Sequence, residues 1–305
     1  MRLLTRSHAR PSLCLALFAG LLFSVPAAAQ RPGNAGPAMS DSASLTTAYS
    51  ANTTLERSGA NLGDVSVTAL QFSWNSALPL GAGQQFGYGL DYQHYRLQRG
   101  TATPLPGELR GLSVPLMFAG TLAPDWSGRL LLRPGIYGSS LTWTGRHTNV
   151  PVLALVSFRQ SPELAWSFGV RYDAWAQHPV LPFAGVNWKF APDWEFAVGM
   201  PRTGVTWQCC ADLAWRLGAS MQGGSFYVES DPRPAGSTAP ALGSTRLDYR
   251  EIRIGTGVDY TVTATVSLSA EAGVIANQRF DYHQRHYRLA GDTAAYAALS
   301  LRARF

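Results

Sequence analysis

The chain has 305 residues, 46% hydrophobic and 14% charged, with a formal charge of +6 and three cysteines. Ample apolar content at low charge density excludes a disordered chain, and so few cysteines exclude a disulfide framework. Lys189 is the single lysine, so arginine supplies nearly all the positive charge.

Arg2, Arg6 and Arg10 precede an apolar run from Leu13 to Val25, and Ala27-Ala28-Ala29 follows it. A basic start, a short apolar run and a small-residue exit predict a secretory signal peptide over residues 1–29. The run falls short of the roughly twenty residues that a spanning helix needs. Cys14 opens the run rather than following it, so it is no lipid-attachment site. Removing the segment leaves 22 basic against 19 acidic residues, a charge of +3. A nucleic-acid partner thereby loses support. Residues 30–42 are rich in Pro and Gly and read as a periplasmic segment or a lumen plug.

From residue 43 to 305 the pattern has period two. Trp166, Phe168, Val170 and Tyr172 alternate with Ser167, Gly169 and Arg171, and Val266, Leu268, Ala270, Ala272 and Val274 alternate with Ser267, Ser269 and Glu271. Such runs are half-buried strands, and none keeps a helical period. Short turns recur at Ala123-Pro124-Asp125, Ser161-Pro162-Glu163, Ala191-Pro192-Asp193 and Thr261-Val262. Longer polar connections fall at 98–106, 140–148, 229–245 and 277–293. Short turns at one end and long loops at the other predict a transmembrane, up-and-down antiparallel β-barrel. Strands are expected near 43–52, 63–77, 84–97, 107–121, 126–139, 149–160, 164–175, 179–190, 194–200, 203–208, 212–228, 246–260, 263–276 and 294–305. That makes fourteen, or twelve without the 194–208 hairpin. A soluble sandwich also alternates and is the competing fold.

Two phase slips interrupt the pattern. Val65, Val67 and Ala69 give way to Leu70, Phe72 and Trp74, and Leu247 and Tyr249 precede the Ile252 series. Each slip marks a bulge or the point where a strand leaves the bilayer. Trp74, Trp126, Trp175, Trp188, Trp194 and Trp207 sit near strand ends and read as an interfacial girdle. The chain closes on AAYAALSLRARF, in which Phe305, Leu301 and Leu299 share one face with Ala303, while Arg302 and Arg304 share the other. An alternating strand ending on phenylalanine reads as an outer-membrane insertion signal. It implies outer-membrane lipids and the barrel-assembly machinery as partners.

With those features in view, the chain resembles a family of uncharacterised bacterial outer-membrane β-barrel proteins, a domain of unknown function. The likeness runs from about 43 to 305. It is carried by Phe196–Trp207 (FAVGMPRTGVTW), by Arg253–Tyr260 (RIGTGVDY) with Ser267–Gly273 (SLSAEAG), and by Gln278-Arg279-Phe280. The resemblance implies a barrel and an outer-membrane address, and it carries over no site residues.

The inward-facing charges are the candidate lumen lining: Arg171, Asp173, Lys189, Glu195, Arg216, Arg253, Asp259, Glu271 and Arg302. Ionised groups inside a barrel must be paired or hydrated. Arg–carboxylate ladders would plug the interior, whereas a water-filled lumen would give a pore of modest selectivity. The expected function is a passive channel or uptake barrel for small solutes, and the alternative is a non-transporting structural or surface-interaction barrel. A lipid-modifying enzyme would need a Ser or Asp beside His178, His283 or His286, and no catalytic motif is present. His94 and His147 also fall at strand ends or in loops. Cys209 and Cys210 are adjacent in a predicted turn and read as a tolerated thiol pair, since neighbouring cysteines rarely bridge. No cofactor and no metal site is expected.

Overall fold

The computed structural model describes residues 41–199, 202–237 and 239–305. The expected signal peptide and nearly all of the 30–42 segment lie outside the described residues. In chain order the strands are β1 (Ser42–Arg57), β2 (Ala60–Gly81), β3 (Gln84–Arg99), β4 (Glu108–Ser113), β5 (Leu116–Ala123), β6 (Trp126–Leu132), β7 (Gly135–Gly138), β8 (Thr148–Asn149) and β9 (Val152–Arg159). They continue as β10 (Leu164–Tyr172), β11 (Val180–Ala191), β12 (Trp194–Val198), β13 (Arg202–Cys210), β14 (Leu213–Val228), β15 (Thr245–Thr261), β16 (Val266–Tyr282), β17 (Tyr287–Gly291) and β18 (Ala294–Arg304). Four staves are interrupted, as β4/β5, β6/β7, β8/β9 and β17/β18, so eighteen strands make fourteen staves. β1 closes the ring by pairing with both β2 and β18. The 194–208 hairpin is present as β12 and β13, which rules out twelve.

Three of the interruptions fall on neighbouring staves, at Val114-Pro115, Arg133-Pro134 and Val150-Pro151. Each contains a proline, which has no N–H to give to a ladder. Bonds from Val114 N to Pro134 O and from Arg133 N to Pro151 O, both 2.9 Å, carry the wall across the break. Below this seam, β5, β6 and β9 belong to a ring of all fourteen staves. Above it, β4 and β7 turn in, and Gly138 of β7 meets Tyr227 of β14 in a parallel bridge. The long-loop end therefore closes as a smaller ring of nine strands: β1, β2, β3, β4, β7, β14, β15, β16 and β17. On β14 the bend sits at Gly223, with φ +128°, where a Cβ would lie 2.0 Å from the Tyr249 carbonyl oxygen. Only glycine fits there.

About eight strands enclose just the space that side chains fill. The nine-strand ring is filled accordingly, by Leu55, Val67, Tyr95, Leu109, Phe226, Leu247, Tyr249, Phe280 and Leu289, all buried. Tyr249 stacks on Phe280 with ring centroids 4.9 Å apart and meets Tyr95 edge-on at 5.2 Å. The wide ring has the opposite pattern. Leu45, Leu70, Phe168, Leu217, Ile254, Val258 and Leu299 are exposed on its outer face, while arginines and carboxylates lie inside. This is the apolar belt of a transmembrane barrel. Among the described residues no helix is long and apolar enough to cross a membrane.

The two phase slips are exchanges of polarity where the strands leave the belt, each beside a register shift with one neighbour: β1–β2 between Ser50 and Thr53, and β15–β16 between Ile252 and Arg253. The β2–β3 pairing runs unbroken from Val65 to Pro79, and β14–β15 from Leu213 to Val228. On β15, Leu247 and Tyr249 face the packed core and Glu251 and Arg253 continue the same face into the lumen. The outer face changes in the opposite sense, from Arg246 and Arg250 to Ile252 and Ile254. Against β14 the strand leaves the belt without slipping, and the bulge nearby belongs to β16, opposite Ile252 and Arg253.

Two further expectations are corrected. Trp74, Trp126, Trp188 and Trp207 are exposed on the outer face, and Trp194 stacks on Trp207 at 5.6 Å. Trp175, however, is 4% exposed at the long-loop end, beneath Arg246, because its loop folds inward over the shoulder. Residues 277–293 are mostly strand, since Phe280, Tyr282, Tyr287 and Leu289 alternate into the core and leave one 3-10 turn, His283–Arg285, as the loop.

Leu299 is 54% exposed on the belt, whereas Ser300 faces inward and lies 2.8 Å from the Thr46 hydroxyl. Leu299→Arg should cost about 2–4 kcal/mol in urea unfolding of the vesicle-inserted barrel, and Ser300→Arg far less. Equal costs would contradict the assignment of faces.

Candidate functional site: a polar interior beneath a closed roof

Directly below the packed core, the inward faces of β15 and β16 become ionic. Glu251 is fully buried and accepts from Arg253 at 2.9 and 2.8 Å, from Gln278 at 2.8 Å, from Ser50 across β1 at 3.3 Å, and from the Tyr249 hydroxyl. A buried ion pair is tolerable only when its remaining sites are satisfied in this way. The Arg253 guanidinium lies 4.9 Å from the Tyr296 ring, and the Tyr296 hydroxyl donates to Glu271 at 2.8 Å. Glu271 also takes Arg202 at 2.7 Å and Arg216 at 3.5 Å, and Arg216 continues to Asp259 at 2.6 Å. One ladder of polar contacts thus descends the wall from the core towards the short-turn rim.

On the opposite side lies a cavity of about 70 Å³ whose lining includes Asp91, Arg133, Asn149, Arg171, Asp173 and Ser225. Arg133 faces Asp91 at 3.4 Å. Asp173 accepts from Arg171 at 2.6 Å and from Asn149 at 2.8 Å. Gln71 of β2 reaches across the interior to Gln222 of β14 at 3.2 Å.

The loop 173–179 roofs this cavity on the side where β9 to β13 are short. Trp175 and Ala176 are buried within it. Gln177 N donates to Asp248 at 2.9 Å, Arg288 to the Gln177 side chain at 3.4 Å, and Arg246 to the Ala174 carbonyl at 3.4 Å. Ser225 ties Asp248 (2.5 Å) to Asp173 (3.3 Å). The loop is latched onto the outer face of the narrow ring.

Of the expected lining residues, Arg171 and Asp173 pair beside the cavity, and Arg216, Asp259 and Glu271 form the lower ladder. Arg253 pairs with Glu251, which shares its strand face but was not among the expected residues. Lys189 is exposed at the short-turn end of β11, and Glu195 holds Asn187 at 2.8 Å. Arg302 is half-buried on β18, opposite Ser44 and Ser267. Asp91 and Arg133 lie on separate staves, so nothing in the sequence pairs them.

Asp248 does stand beside His283, with 3.8 Å between Oδ2 and Nδ1. Ser225 donates to that same carboxylate, which therefore sits between serine and imidazole. No hydrogen bond joins the imidazole to the Ser225 hydroxyl, so the three are not ordered as a serine nucleophile, histidine base and orienting carboxylate. His94 bonds Glu108 at 3.1 Å and His147 bonds the Thr144 hydroxyl at 2.7 Å. Cys209 and Cys210 are free thiols at the end of β13. Among the described residues no three side chains are grouped to hold a metal ion. Beyond the belt, hydrogen bonding from Arg233 holds the loop carboxyl of Asp231 below the usual aspartate range.

A family model described as a domain of unknown function (DUF6268) matches residues 84–299. No curated protein matches the sequence. Solved structures that are similar to the chain include an outer-membrane channel from Pseudomonas putida F1, at 10% identity and TM-score 0.48, covering 90% of this chain and 99% of that one. The P. putida toluene transporter TodX is similar at 11% identity and TM-score 0.46, covering 87% and 89%. A Pseudomonas aeruginosa FadL homologue follows at 10% and 0.45, covering 87% and 90%.

Glu251→Gln leaves Arg253 buried without its counter-charge and should cost about 3–5 kcal/mol in unfolding of the detergent-refolded barrel. Adding Arg253→Met should restore much of that loss. A double variant no more stable than the single one would show that the pair is not the source.

Proposed function

The chain belongs to the DUF6268 family, a domain of unknown function, and we propose that it is a small-solute uptake channel of the bacterial outer membrane. The observation that supports this reading is the contrast between its two rings. In the wide ring the inward-facing Asn187 and Lys189 are exposed, as residues lining water are, whereas the narrow ring is packed solid. Fourteen staves enclose more space than side chains fill. The axial exit through the core is closed, so the passage runs under the loop 173–179 at the shoulder. Arg171, Asp173, Lys189, Glu195, Arg216, Arg253, Asp259, Glu271 and Arg302 line or brace the lumen, and their mixed signs make selectivity modest.

In this reading the short turns lie in the periplasm and the long loops outside. Outer-membrane lipids surround the belt. The barrel-assembly machinery engages the closing strand through Phe305, Leu301 and Leu299. A signal peptide over 1–29 delivers the chain. The second reading, a non-transporting structural barrel, draws on the sealed core and on the Glu251–Arg253 ladder.

Planar-bilayer conductance of the refolded chain from residue 30 separates the two. The channel reading predicts small, intermittent conductance that rises several-fold when Asp248→Ala releases the latch at Gln177. Conductance that appears only after residues 30–42 are removed would identify that segment as a plug. Silence in all three forms would establish the structural reading.

A further inference from the structure

The outer face of the barrel carries an unusual row where the apolar belt ends. Arg250 of β15 and Arg279 of β16 are directly opposed partners in the antiparallel ladder. Side chains in that relation have Cβ atoms only about 4.5–5.5 Å apart, and like charges there are destabilising. Neither guanidinium has a hydrogen bond or ion pair among the described residues, and the Arg250 Nε is buried without an acceptor. The neighbouring acids are already engaged. Asp281 is held by Arg288 at 2.7 Å, and Asp248 by Ser225 and Gln177. Along the row, Gly223 flanks Arg250 and Ala290 flanks Arg279, so neither neighbouring strand brings an acid to the pair, and Gly223 also borders the polar cavity beside Arg171. The next acid in that direction, Glu56, pairs with Ala290 and lies two strand spacings away, about 10 Å.

The row immediately below is Met221, Ile252 and Asn277, followed by Ala219, Ile254 and Val274. Arg279 is thus exposed on the outer face just above the apolar belt, with Arg250 half-buried beside it. Paired guanidiniums match a phosphate group, which each can take in a bidentate fork. We propose that Arg250 and Arg279 form a binding site for the phosphate of a membrane amphiphile, whose acyl chains lie down the Ile252, Ile254 and Val274 face. A free phosphate ion presents the same chemistry without the chains.

The refolded full-length barrel in dodecyl maltoside tests this by native mass spectrometry. It is titrated separately with phosphatidic acid, phosphatidylcholine and inorganic phosphate. Phosphatidic acid should bind, and Arg250→Gln or Arg279→Gln should each lower its affinity about tenfold, with lysine at either position intermediate. Phosphatidylcholine binding should be unchanged by either variant. Without lipid, Arg279→Gln should melt at or above the wild-type temperature, because it removes a like-charge pair. A melt below wild type would assign the arginine an internal structural role and overturn the proposal. Inorganic phosphate binding with the same variant losses, and no gain from acyl chains, would keep the phosphate site but reject the amphiphile. Equal phosphatidic acid binding by wild type and the double glutamine variant would overturn the site altogether.

Discussion

Every backbone N–H and C=O of a barrel wall must be paired wherever lipid surrounds it, so a membrane barrel has no freedom to end a strand within the belt. This wall satisfies that demand with fourteen staves and then narrows to nine once clear of it. The narrowing requires several ladders to break together, and the three prolines at 115, 134 and 151 place those breaks on neighbouring staves. Gly223 supplies the matching bend on the far side. The single Gly138–Tyr227 bridge then closes the smaller ring.

Most other features follow from the change in circumference. A nine-strand ring in water needs an apolar inside and a polar outside, as any soluble barrel does, whereas the wide ring in lipid needs the reverse. The same strands therefore exchange the polarity of both faces partway along. At the exchange, core aromatics stand directly above ionised groups, and Tyr249 with Glu251 is that junction. The shorter wall of β9 to β13 leaves a step beside the narrow ring, which the loop 173–179 covers. Asp173 and Asp248, linked through Ser225, hold it there. The closed roof and the polar cavity beneath it are two consequences of one step in the wall.

Much of the architecture was legible in the sequence because alternation, turn chemistry and the closing strand are local signals. The fourteen staves and the short turns at one end are of this kind. The polarity exchange was visible too, at Val65–Trp74 and Leu247–Ile254, but a change of face chemistry looks like a change of phase until the pairing is known. The seam was not read: strands were expected unbroken over 107–121, 126–139 and 149–160, although each run contains a proline, which signals an interruption. That the three lie side by side depends on stave order. The interior contacts were the least legible. Arg216 reaches Glu271 across two strand boundaries, and Gln71 meets Gln222 across the lumen, at sequence separations of 55 and 151 residues. Trp175 was misplaced because a tryptophan near a strand end serves an interfacial girdle and a buried loop equally well.

The central claim is that one unbroken strand faces lipid over half its length and water over the other half. Single spin labels placed along β15 in the vesicle-inserted barrel test it directly, using oxygen as the lipid-soluble relaxant and a nickel chelate as the aqueous one. Labels at 254 and 258 should report oxygen, labels at 246 and 250 the chelate, and a label at 247 neither. Oxygen-dominated signals at 246 and 250, or chelate access at 247, would contradict the account.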